Sequence, residues 1–107
     1  MESIQRVTAP TVDVLRVLLN STSPVWGLQI IKKTERLPGT VYPILERLER
    51  QGWIRSSWEE DSSRQGPRRK LYEFTADGAA AARETCLAFD AKQAATGIPE
   101  TGRLATS

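Results

Sequence analysis

Lys32, Lys33, Arg36, Arg47, Arg64, Arg68 and Arg69 are cations, and Thr40 and Tyr42 place hydroxyls among them along the chain. Groups of these types neutralise phosphate oxygens or meet base edges. Between Asp61 and Lys70 four residues are basic and one is acidic, and Glu59, Glu60 and Asp61 stand together just before them. Such a run is ordinarily a solvated turn. Here it falls between two strand-like segments, at a hairpin tip. The parts needed for catalysis are missing. The chain has no histidine and one cysteine, Cys86, so neither a zinc site nor a disulfide framework has its ligands. Cys86 sits on an expected packing face without a basic partner at matching spacing, so thiol–base chemistry has no components either. No enzyme, metal or cofactor is expected.

The elements that must carry these groups can be read in order. A chain of 107 residues with net charge +2 supports one domain and one modest core. Thr8-Ala9-Pro10 offers a cap and an early-helix proline, and Val12, Leu15, Leu18 and Leu19 follow at helical spacing to about Asn20. Ser23 is expected to cap a second helix with Pro24 at its first position, running through Trp26, Leu28, Ile30 and Ile31 to about Lys33. After a turn, a third helix is expected from Thr40, with Thr40 as its cap, Pro43 in its first turn and Val41, Ile44, Leu45 and Leu48 buried. It stops at Gln51-Gly52, where glycine takes the left-handed geometry. Residues 53–58 and 69–74 read as the strands of a hairpin, with Gly66-Pro67 in its loop. Thr75 is expected to cap a last, alanine-rich helix to about Gln93.

This order predicts a mainly α fold with a small β-hairpin, a winged helix-turn-helix with an added C-terminal dimerisation helix. Residues 1–7 are expected to be a flexible N-terminus, 8–75 the DNA-binding domain, 76–93 the dimerisation helix and 94–107 a flexible tail. The third helix becomes the reading helix. Thr40 and Tyr42 open it, Arg47 follows on its outer flank, and Glu46 and Glu49 serve as i,i+4 partners rather than ligands. Lys32, Lys33 and Arg36 supply backbone contacts, and Arg64, Arg68 and Arg69 reach phosphates or the minor groove from the wing. Because Arg69 and Lys70 alternate sides, one of the two faces nucleic acid. Trp53 and Trp58 read as core and hinge. A long last helix in so small a chain must bury its stripe on its own domain or on a second copy. A symmetric dimer is expected, through Val12, Leu15 and Leu19 of the first helix and Ala82, Cys86 and Phe89 of the last. No signal peptide is read at Met1-Glu2-Ser3, and a reducing cytoplasm is expected.

Three stretches resemble the PadR-like family of winged-helix transcriptional regulators. They are Pro24-Val25-Trp26-Gly27-Leu28-Gln29-Ile30, then residues 39–54 from Gly39-Thr40-Val41-Tyr42-Pro43 to Gln51-Gly52-Trp53-Ile54, then Arg69-Lys70-Leu71-Tyr72-Glu73-Phe74-Thr75-Ala76-Asp77-Gly78. The likeness covers about residues 9 to 90. It implies a homodimer binding double-stranded DNA at an inverted repeat, usually a repressor of nearby genes, often releasing DNA when a small molecule binds. Trp26 stands where the family commonly has tyrosine. The chain resembles the short subgroup, lacking a substantial C-terminal helical domain. From aromatic content, an effector would sit between subunits near Trp26, Trp58 and Phe89. The alternative is a winged-helix module used for protein–protein assembly without direct DNA reading, since a fold does not fix a function.

Overall fold

The computed structural model describes residues 4, 6–60 and 69–96. Its elements are α1 (Ala9–Leu19), β1 (Val25–Trp26), α2 (Gly27–Thr34), α3 (Pro38–Arg50), β2 (Ile54–Trp58), β3 (Lys70–Phe74) and α4 (Ala76–Thr96). Thr8 caps α1 as expected: the Thr11 amide donates to its hydroxyl at 3.4 Å. The second helix does not begin at Ser23. Residues Val25 and Trp26 are extended and pair antiparallel with Tyr72 and Leu71 of β3, so the expected hairpin is the larger part of a three-stranded sheet ordered β1-β3-β2. Trp26 is the N-cap residue of α2, and its amide donates to Gln29 Oε1 at 3.0 Å.

The third helix starts earlier than Thr40. Its N-cap is Leu37 and Pro38 its first residue. Thr40 therefore does not cap, and its amide donates to the Leu37 carbonyl at 2.9 Å. Pro43 then lies inside the helix rather than in its first turn, where it removes one intrahelical donor. The far end is as expected. Gly52 has φ 86°, its amide donates to Glu49 O at 3.1 Å, and the Trp53 amide donates to Leu48 O at 2.9 Å. These two bonds close the helix and release the chain directly into β2.

Val12, Val14, Leu15 and Leu18 of α1, Ile30 of α2, Val41, Ile44, Leu45 and Leu48 of α3, and Ala82 and Cys86 of α4 meet in one core. Val25, Trp53, Ile54 and Tyr72 close it from the sheet side. Ile4 and Val7, placed in the expected flexible N-terminus, pack against this core. Trp53 is a core residue as read; Trp58 is not, being 57% exposed. Ile54 and Trp58 share a face by alternation, but the core ends before Trp58. The last helix runs to Thr96, past the expected end at Gln93, and Thr75 caps it: its hydroxyl accepts from the Gly78 amide at 3.0 Å and donates to Gly52 O at 2.9 Å. No helix among the described residues is long and apolar enough to cross a membrane.

Candidate nucleic-acid interface

The turn between α2 and α3 is built from Glu35, Arg36 and Leu37. Glu35 adopts the left-handed conformation, φ 58°, and its amide closes α2 on Ile31 O at 2.9 Å. The Thr34 hydroxyl donates to Ile30 O at 2.8 Å and accepts from the Arg36 amide at 3.3 Å. Beyond the turn, the N-terminus of α3 has no side-chain cap. Its first turn carries partial positive charge and suits an anion. Lys32 and Lys33, in the last turn of α2, are exposed.

Thr40 is half-buried and Tyr42 is 41% exposed at this end of α3. The Tyr42 ring lies against the start of α2, where a Cβ at Gly27 would come within 2.9 Å of Cε1. Tyr42 thus joins α2 to α3 while keeping part of its ring open. Arg47 is exposed further along, as are Glu46 and Arg50. Glu49 is not a partner along its own helix; the Ser56 hydroxyl of β2 donates to its Oε2 at 2.6 Å.

Two of the expected phosphate ligands are turned toward protein. Arg36 is bound to Asp13 of α1, with Nε donating to Oδ2 at 2.9 Å and Nη2 at 2.8 Å from the same oxygen. The Arg69 guanidinium lies 4.0 Å from the centre of the Trp26 ring. Its Nε is buried without a hydrogen bond, and Glu59 Oε2 at 4.0 Å is too far to supply one. Arg69 therefore ties the root of the hairpin to β1, and Lys70, on the other face of β3, holds its Nζ 5.9 Å from the centre of the Tyr72 ring. Arg64 and Arg68 lie outside the described residues.

The other expected sites are rearranged. Val12, Leu15, Ala82 and Cys86, read as a subunit interface, are buried in the chain's own core because α1 and α4 pack on each other. Leu19 and Phe89 are only partly buried against that core. Trp26 stands opposite Leu71 and Trp58 opposite Lys70, so the two rings project from opposite faces of the sheet. Phe89 lines a separate groove of about 440 Å³ with Val7, Thr85, Ala88, Lys92 and Gln93. One chain does not gather the three aromatics into a pocket. Among the described residues no group of His, Cys, Asp or Glu could hold a metal ion. Burial pushes the Cys86 thiol up, only partly offset by the Arg16 guanidinium, which makes it a poor nucleophile. Leu37, 75% exposed beside Pro38, was not signalled by periodicity; proline at a first helical position is the mark that would have located it.

A helix, a tight turn and a second helix with its N-terminus open, followed by a hairpin, define a winged-helix DNA-binding protein. A family model described as "Transcriptional regulator PadR-like family" matches residues 14–84. The chain belongs to this family, whose members are regulators of transcription rather than enzymes. Among solved structures it is similar to a PadR-like transcription factor from Bacteroides fragilis, at 26% identity and TM-score 0.64, covering 79% of this chain and 84% of that one. The circadian clock associated protein Pex from Anabaena shares the fold at 18% identity and TM-score 0.62, covering 82% and 83% of the two chains. So does the PcaV transcriptional regulator from Streptomyces coelicolor, at 20% identity and TM-score 0.68, covering 81% and 61%. No curated protein matches.

Proposed function

We propose that the chain acts as a homodimeric repressor that binds an inverted repeat in duplex DNA and occludes a promoter. The observation that carries this reading is the open N-terminus of α3, preceded by a helix whose last turn exposes Lys32 and Lys33, in a member of a transcriptional regulator family. Thr40, Tyr42 and Arg47 meet the major groove, and the lysines hold phosphates. Arg64 and Arg68 serve the wing in this reading, whereas Arg69 and Arg36 act through Trp26 and Asp13. The second copy docks on the outer side of α4, where Leu87 is 69% exposed, beside the groove that Phe89 lines. Any small-molecule effector enters between copies.

Selection of bound sequences from a random duplex pool at moderate salt tests the reading. The expected product is an inverted repeat with half-sites about one duplex turn apart, ~34 Å, bound with affinity that falls steeply with salt. The inward pairing of Arg36 and Arg69 favours a second reading, a winged-helix module for protein assembly. A folded dimer indifferent to duplexes at low ionic strength would overturn the repressor reading and favour that alternative.

A further inference from the structure

Leu37 stands at the N-cap of α3, a position where Ser, Thr, Asp or Asn would accept a hydrogen bond from the first turn. Leucine makes no such bond here, and the side chain is 75% exposed, so it gains little packing either. A lone exposed leucine means little by itself. One that forgoes a cap at the tip of a reading helix breaks two local rules at the same residue, which points to function. The α3 side of the tip is uncharged: Pro38, Gly39, Tyr42 and Pro43 are all exposed, and a Cβ on Gly39 would meet nothing within 4 Å. On the turn side stand the exposed Glu35 and the half-buried Arg36, whose guanidinium is bound to Asp13. The tip is therefore open to close approach, while Lys32 and Lys33 lie exposed at the end of α2 before the turn. In the major groove the apolar projection from a base pair is the C5-methyl of thymine.

We infer that Leu37 is a specificity-determining residue that packs on a thymine methyl in each half-site. This rests on the proposed DNA reading and names the base chemistry it uses. The test starts from the selected operator and replaces its thymines by deoxyuridine one position at a time, which removes the methyl and keeps the pairing. At one thymine per half-site the wild-type chain is expected to lose affinity about fourfold, the worth of one buried methyl. Leu37→Ala is expected to bind the thymine operator several-fold more weakly and to be insensitive to deoxyuridine at that position. Leu37→Met is expected to restore the sensitivity. Leu37 is exposed, so both variants should melt as the wild type does. Wild-type indifference to deoxyuridine at every position overturns the inference and leaves DNA reading intact. Retained sensitivity in Leu37→Ala does the same. Failure to select any operator overturns both together.

Discussion

Glu35 closes α2 at φ 58°, a conformation that costs a side-chain-bearing residue roughly 1–2 kcal/mol and costs glycine almost nothing. Glu35→Gly is therefore expected to raise stability by about 1 kcal/mol in urea denaturation, without moving the turn. Gly78 shows the opposite constraint. Its backbone passes so close to Trp53 that a Cβ would overlap the Trp53 carbonyl. Gly78→Ala is expected to cost about 3 kcal/mol and to loosen the junction of β3 with α4. Cys86 and Tyr72 set the alkaline limit. Burial pushes both the thiol and the phenol up, so the folded chain holds these protons more tightly than the unfolded one. Stability is then complete below the ordinary thiol range, about 8.5, and declines as pH rises above it. Urea midpoints should hold from pH 7 to about 8.5 and fall from there to about pH 11, less steeply at the alkaline end in Tyr72→Phe.

The helices and the two longer strands were legible because each carries a local signal: Thr8 and Thr75 as caps, Gly52 as a stop, and the buried stripe from Val41 to Leu48. β1 was not legible. It has two residues, shows no alternation, and exists only because β3 offers an edge; Ser23-Pro24 supplied a false helix start beside it. The site was readable in residue type more than in orientation. Arg36 and Arg69 look like free cations in sequence, and their partners Asp13 and Trp26 are brought to them only by tertiary packing. The Asp13–Arg36 pair ties α1 to the turn before α3. As both side chains are partly exposed, about 34% and 37%, Asp13→Ala is expected to cost no more than about 1 kcal/mol of stability. Arg36→Ala and Asp13→Ala should weaken operator binding alike if Arg36 acts by positioning. A fall of about one in the salt slope for Arg36→Ala alone would mean direct phosphate contact.

At the scale of the whole molecule, α1 buries Val12, Val14, Leu15 and Leu18 within one chain. Ala82 and Cys86 are the only apolar side chains of α4 buried among the described residues, so the proposed second copy has the rest of α4 as its docking surface. The region from Leu87 onward supplies it: every side chain described from Ala91 to Ala95 is exposed. Leu87→Glu is expected to give a folded monomer by sedimentation, with operator affinity lowered because two half-sites are no longer held together. A wild-type melting temperature that rises with protein concentration would accompany the dimer. Unchanged sedimentation of Leu87→Glu would place the interface elsewhere.

Trp26 ends β1, opens α2 and lies beneath Arg69 at the root of the hairpin. One indole thereby joins the start of α2 to the root of the hairpin, a contact that opposes their tilting apart. Accommodation between protein and duplex then falls to the nucleic acid. Operators with pliant pyrimidine–purine steps between the helix and wing contacts should be preferred, at base pairs that no side chain reaches.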